Sequence, residues 1–431
     1  MARTGHPNQD MTTANEGGSV SIGKTGESVA APREVGHATL QPDVAVLTGG
    51  GDKPYALGLA DALIAQSVRF DFIGSTDVDS PALHETPLVN VLNLRGDQRS
   101  DSGLQEKAWR VLRYYARLLR YAAAAQPGLF HILWNNKFQL FDRTGLMVYY
   151  KLLGKRIVLT VHNVNAGKRD GNDSLLNRLT LRVQYGLCDH LFVHTARMKT
   201  ELMQEFAVPD SKISVIPFGI NNTSPVSELT TRDARKYFGL VERDKVLLFF
   251  GNIAPYKGLD LLVAAFAQVA RRCDRCRLII AGKPKNCESY WQSVQSAIDR
   301  HGLGQLILRR IDYIADDQVE LYFKAADVLI LPYRHIFQSG VLFLGYSFGL
   351  PVIASDVGSM REDIVDGRTG FVCRPNDPGD LGQAIDRYFA SDLYRELERR
   401  RPWIRQYANE HYSWAKVGEI TRRVYGQLLG R

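Results

Sequence analysis

The stretch KVLLFFGNIAPYKGLDLLVAAFAQVARRCDRCRLIIAG, residues 245–282, decides the architecture. KVLLFF is a short apolar run bounded by a glycine, LDLLVAAFAQVA has helical length, and RLIIA is a second short apolar run, so the order is strand, helix, strand. Two strands joined through a helix lie parallel in one sheet. The alternation continues through LILRRIDYI, DVLILPY, PVIASD and FVCRP. It also precedes residue 245: VAVLTGGG, VRFDFIGS, LVNVLNLR, LFHILWN, RIVLTVHN and HLFVHT are interleaved with helical patterns from Pro54, near 104–126, near 140–152 and near 174–186. The polar stretch NNTSPVSELTTRD separates the two series. The fold predicted is α/β, with two Rossmann-like, doubly wound parallel-sheet domains facing each other across a cleft.

The expected divisions are a disordered tail over 1–42, a first domain over 43–222, a linker over 223–244 and a second domain over 245–408. A closing helix over 409–431 carries Trp414, Val417, Ile420, Val424 and Leu428 at helical spacing. The 431 residues, 45% hydrophobic and 23% charged, hold apolar surface for two cores. No run approaches the roughly 18 apolar residues of a spanning helix, and residues 1–10 lack a signal-peptide core, so a cytoplasmic location is expected. Five unevenly placed cysteines predict free thiols rather than a disulfide framework. The formal charge of +8 favours phosphate-bearing partners. The basic residues are scattered and no reader motif appears, so nucleic acid is not expected.

In doubly wound folds ligands bind beyond the carboxyl ends of the strands, which ranks the candidate residues. Gly49, Gly50 and Gly51 follow the first strand and precede Pro54, a turn that lets backbone amides approach a phosphate or sugar. Lys257 falls just before a helix in the equivalent place of the second domain, suited to phosphate. Ser339 reads as the N-cap of a helix ending at Gly349, so the amides that follow it should face the cleft. His162 ends RIVLTVHN, where an imidazole can reach a sugar hydroxyl.

Three other matches carry no site. Gly18–Thr25 spells a P-loop, but no strand precedes it to aim the loop at a helix. Asp77 and Asp79, like Cys273 and Cys276, lack further ligands at useful spacing, so neither a metal nor a resident cofactor is expected. Along 106–126, five basic residues stand against one acidic. Arg110, Arg113, Arg117 and Arg120 share one face with Tyr114 and Tyr121, opposite Trp109, Leu112, Ala116 and Leu119. Such a helix suits either solvent or an anionic membrane surface.

Taken together, FFGNIAPYKGLDLL, RLIIAG, DVLILPY, QSGVLFLGYSFGLPVIASDVGSMREDIVDGRTGFV and YSWAKVGEITRRVY resemble glycosyltransferase family 4 from about 44 to 430. The resemblance implies a GT-B fold and a retaining, metal-independent transferase with a nucleotide diphosphate sugar as donor substrate. It also implies a saccharide or lipid-linked acceptor and a last helix that crosses back to the first domain. On matching positions, Lys257 corresponds to the donor-phosphate lysine, Gly50 and Gly51 to the glycine loop, His162 to the histidine near the donor sugar, and Ser339 and Gly340 to the phosphate-facing helix start.

Two departures stand out. Asn252 occupies the place of a customary arginine, for which Arg334 is the expected substitute. The usual glutamate pair is also missing, since 331–350 contains no acidic residue. The competing readings are a nucleotide-sugar epimerase or hydrolase of the same fold and a non-enzymatic nucleic-acid binder.

Overall fold

The computed structural model describes residues 42–50, 52–98, 103–169, 172–220, 227–285 and 287–431. The tail, its P-loop-like match, Gly51 and the beginning of the expected linker lie outside the described residues.

The first sheet contains β1 (Val44–Leu47), β2 (Phe70–Gly74), β3 (Val89–Asn93), β4 (Leu129–Ile132), β5 (Arg156–Val161), β6 (His190–Val193) and β7 (Ile213–Val215), all parallel, in the order β3-β2-β1-β4-β5-β6-β7. The second contains β8 (Lys245–Phe250), β9 (Cys276–Ala281), β10 (Ile307–Arg310), β11 (Val328–Leu331), β12 (Val352–Ser355) and β13 (Gly370–Cys373), again parallel, in the order β10-β9-β8-β11-β12-β13. The central strands are buried along their whole length, as helices on both faces require. Strand order reverses between β1 and β4 and between β8 and β11, and those switch points open the crevices in which such folds bind ligands.

The last helix, Trp414–Leu429, packs on helix Lys53–Ala65 of the first domain, with Val417, Val424 and Tyr425 in the same core as Val44, Leu59 and Leu129. Trp414 occupies space left by two glycines: a Cβ at Gly58 or Gly219 would lie 2.3 or 2.1 Å from its ring. Its indole Nε1 donates to the Ile220 carbonyl at 2.9 Å. His131, fully buried in β4, pins the same helix through its Nδ1, 2.6 Å from the Tyr425 hydroxyl, while its Nε2 lies 2.8 Å from Thr160 Oγ1.

Several expectations need correction. The helix near 140–152 is two, Gln139–Arg143 and Gly145–Leu152, because Thr144 adopts φ −124° and ψ −85° between them. The expected linker 223–244 contains helix Thr231–Tyr237, which belongs to the second core: Ala234 is buried there, and Arg235 pairs with buried Asp327 at 2.8 Å. Helix Leu104–Ala124 divides differently from the arginine-face reading. Tyr114 and Tyr115 are buried with Leu118 and Ala122, while Trp109 and Leu112, 60% and 55% exposed, share the outer side with Arg113, Arg117 and Arg120. The tyrosines go inward because Asn136 and Asp142 offer hydroxyl partners beneath the helix.

Candidate active site

In the second domain, the chain leaving β8 turns at Gly251 and reaches Lys257 in a 3₁₀ turn, Pro255–Lys257, before helix Leu259–Ala270 begins. Lys257 is only 7% exposed, and its Nζ lies 5.7 Å from the centre of the Tyr333 ring, which follows β11. A Cβ at Gly251 would sit 3.1 Å from that Nζ and 3.5 Å from Val341 Cγ2. The two sides of the β8/β11 switch point therefore meet the start of helix Gly340–Ser347 at a single place. No acidic residue pairs with Lys257 among the described residues. Burial first, and the charge of Lys285 second, lower its pKa from 10.5 to about 8.

Ser339 stands at the N-cap position but does not cap. Its side chain makes no hydrogen bond to the helix, and its hydroxyl lies 3.4 Å from the Tyr333 hydroxyl. The first amides of a helix carry partial positive charge, so this terminus suits an anion. Lys257, Ser339 and Gly340 are thus brought together, as the sequence placed them.

Arg334 is not the free cation expected. Its guanidinium forms an ion pair with Asp260 and donates to Asn376 Oδ1 at 2.8 Å, while its backbone amide donates to the Tyr256 carbonyl at 2.7 Å. The carboxylate that engages it starts the helix after Lys257, a pairing invisible in the local sequence. Asn252 is exposed on the same loop. Lys285 escaped sequence reasoning; its loop is joined to 252–254 by two backbone bonds, Ile253 N to Lys283 O at 2.8 Å and Lys285 N to Ile253 O at 3.1 Å.

In the first domain, Gly49 and Gly50 have φ of +63° and +91°, and a Cβ on Gly49 would lie 2.0 Å from the Trp134 carbonyl oxygen. The turn between β1 and helix Lys53–Ala65 can approach the β4 end only as glycine. His162 stacks on Trp134 with ring centres 4.3 Å apart and meets the edge of Tyr55 at 4.7 Å. Its Nδ1 lies 3.1 Å from His194 Nε2, while its Nε2 has no hydrogen-bond partner. Burial, with His194 and His131 adding to it, holds this imidazole well below its ordinary pKa, so it is neutral near pH 7. His194 holds that ring through this contact.

Phe218 joins the halves. It packs on His194 at 4.9 Å and stacks on Phe343 of helix Gly340–Ser347 at 5.3 Å. A cavity of about 240 Å³ lies here, lined by Asp52, Tyr55, Phe218, Gly340, Val341 and Trp414 among others. Asp52 caps helix Lys53–Ala65 by accepting from Tyr55 N at 3.1 Å; an Asp two positions before Pro54 was its signal in the sequence. A larger cavity, about 690 Å³, is lined by Asp43, Arg69 and Arg431 at the amino end of β1, away from the strand ends that bind ligands in this fold class. No cluster of three or more His, Cys, Asp or Glu able to hold a metal occurs among the described residues.

Comparison with known proteins agrees with this geometry. Residues 49–223 match the family described as Glycosyltransferase Family 4, and residues 244–391 match Glycosyl transferases group 1. The chain is 25% identical over 416 residues to a D-inositol 3-phosphate glycosyltransferase of Geodermatophilus obscurus, covering 90% of this chain and 88% of that one. Among solved structures, sucrose-phosphate synthase from Thermosynechococcus elongatus superposes with a TM-score of 0.71 at 19% identity over 90% of this chain and 99% of its own. HepE of Anabaena, solved with UDP and glucose, gives 0.67 at 16% over 89% and 99%. At these identities the structural likeness establishes the fold.

Proposed function

Since the chain belongs to the family 4 glycosyltransferases and has the GT-B fold, we propose that it transfers a sugar from a nucleoside diphosphate, with retention of configuration, to a saccharide or lipid-linked acceptor in polysaccharide or glycoconjugate synthesis. The observation that carries the donor site is Lys257, a buried ammonium without an acidic partner among the described residues, set against a helix start that the Ser339 side chain does not cap. A diphosphate there would meet a cation and backbone amides together. As the bond from sugar to phosphate breaks, negative charge grows on the departing diphosphate, and those groups stabilise it.

Residues 331–350 offer no carboxylate nucleophile, which favours attack on the same face that the phosphate leaves. The Nε2 of neutral His162 is buried without a hydrogen-bond partner among the described residues, and a sugar hydroxyl entering beside it would supply one. UDP-sugars come first in a donor screen because HepE is solved with UDP-glucose.

We assign the chain to the cytoplasmic face of a membrane, as a peripheral protein. Phe138, Leu140, Leu152, Leu175, Leu176 and Leu179 are exposed on or just before helices Gln139–Arg143, Gly145–Leu152 and Leu175–Leu187, which pack beside one another, and helix Leu104–Ala124, tied to them by Tyr149 Oη donating to the Leu119 carbonyl at 3.1 Å, exposes Trp109 and Leu112 with Arg113 and Arg117. Apolar side chains between basic ones suit an anionic bilayer surface. No described helix is long and apolar enough to cross a membrane.

The deciding experiment is thermal shift against UDP, GDP and ADP, followed by NMR of the product formed from the matching sugar donor. Stabilisation by one diphosphate and a retained anomeric centre in an acceptor product are expected. Failure of all three to bind would refute the donor site, and donor turnover that consumes no acceptor would favour the epimerase or hydrolase reading.

A further inference from the structure

The cavity of about 240 Å³ between the domains begins where the diphosphate site ends. Gly340 and Val341 line it, and Val341 Cγ2 would lie 3.5 Å from a Cβ on Gly251, the glycine whose other neighbour is Lys257 Nζ. Tyr55 forms part of the opposite wall, and the edge of its ring meets His162 at 4.7 Å. A ligand whose phosphate sits between Lys257 and the Gly340 helix start therefore places the next group of atoms in this cavity. Its volume, a little under the roughly 300–1,000 Å³ of pockets for drug-sized ligands, suits one sugar ring.

Asp52 supplies the only carboxylate of that lining; the other side chains are apolar or aromatic, the Tyr55 hydroxyl aside. The Asp52 side chain is exposed, its Oδ1 accepts from Tyr55 N at 3.1 Å, and no ion pair or further hydrogen bond engages it among the described residues. Desolvation by the surrounding walls raises its pKa above the ordinary carboxylate value, the Tyr55 amide opposes this, and the charge of Asp316 raises it further. Asp316 follows β10 in the second domain, so its field reaches Asp52 across the cleft. Capping a helix does not call for a charge, since asparagine and serine cap about as well as aspartate. Holding a carboxylate near Asp316 in an otherwise apolar cavity costs stability, and that cost points to a ligand that gains from the charge.

A sugar leaving a diphosphate is such a ligand. As its bond to the phosphate lengthens, C1 and the ring oxygen take on positive charge, while negative charge grows on the phosphate beside Lys257. We propose that Asp52 is a catalytic residue that faces the transferred sugar, accepting a hydrogen bond from one of its hydroxyls and opposing the positive charge that develops on the ring. The bond from C1 to the phosphate oxygen breaks, the bond from the acceptor oxygen to C1 forms, and the acceptor's proton goes to the departing phosphate. Asp52 forms no covalent bond and exchanges no proton; its effect is electrostatic and greatest in the transition state. This rests on the nucleotide-sugar reading of the Lys257 site.

The test uses the whole chain and the nucleotide sugar that wild type turns over. Asp52→Asn keeps a capping side chain and removes the charge, so its melting point and its affinity for the free diphosphate should match wild type. Its kcat and kcat/KM should fall together by about tenfold or more, the signature of an interaction made in the transition state. Asp52→Ala should show the same kinetic loss and, having lost the cap as well, a lower melting point. A folded Asp52→Asn enzyme with wild-type kcat overturns the proposal. So does a kinetic loss confined to Asp52→Ala, because capping alone would then account for it. In either case the donor site stands, provided that UDP, GDP or ADP binds; wild type that binds none of the three and turns over no sugar donor refutes the Lys257 reading, and this proposal with it.

Discussion

Replacing Lys257 with methionine should stabilise the ligand-free protein and nearly abolish its turnover. The side chain is 7% exposed with no acidic partner among the described residues, and burial lowers its pKa from 10.5 to about 8. At about 1.36 kcal/mol per unit, that depression corresponds to roughly 3 kcal/mol against the charged form in the empty site. Methionine keeps the packing and removes the charge, so the empty variant should melt several degrees higher at pH 7.

The sign follows from linkage. Below pH 8 the lysine is protonated in both folded and unfolded chains and the full penalty is present. Between about 8 and 10.5 the unfolded chain holds the proton and the folded one does not, so wild-type stability from this group rises with pH and the gap to the variant closes. Turnover moves the other way, since loss of one preorganised donor to a developing oxyanion costs about 2.7–4 kcal/mol, a hundred- to thousandfold in rate. Melting curves from pH 7 to 10 and steady-state kinetics with the donor identified by screening provide the assay. A folded Lys257→Met enzyme with wild-type turnover would refute the phosphate assignment, and a lower melting point unaffected by pH would refute the buried-charge reasoning.

Arg334→Ala should lower kcat/KM by less than about tenfold, because its charge is already engaged by Asp260 and partly exposed pairs contribute little; a loss matching that of Lys257→Met would show that the pair opens toward the donor. Acid should destabilise the fold between pH 6.5 and 4, since burial lowers His131 to about 3 and His194 to about 4 and the unfolded chain takes up those protons first. Urea midpoints that stay level over this range would contradict that expectation. Trp414→Ala should cost about 3 kcal/mol in urea unfolding by emptying the space between Gly58 and Gly219, and an unchanged midpoint would mean that the last helix docks without its indole. Charge reversal of Arg113 and Arg117 should weaken sedimentation with anionic vesicles, most strongly at low salt, and leave diphosphate affinity unchanged; equal sedimentation would leave only a solvated face.

The alternation of short apolar runs with helical stretches was enough to determine two parallel doubly wound domains, because strands buried on both faces must be apolar throughout, as in VAVL and VLIL. The same pattern located Lys257, Ser339, Gly340, the glycine turn and His162, since in this class the carboxyl ends of strands are where ligands bind. Tertiary structure decided what those residues meet. Nothing local to Arg334 reveals that Asp260, 74 positions earlier, engages its charge, and Ser339 looks like a cap until Tyr333 is seen beside its hydroxyl. The outward face of helix Leu104–Ala124 differs from the sequence pattern because Tyr114 and Tyr115 find hydroxyl partners on the segment after β4, and Tyr121 finds one in Asp71 of β2. Spacing along a sequence reports which side chains share a face, whereas the state of a charge depends on partners that only folding brings near.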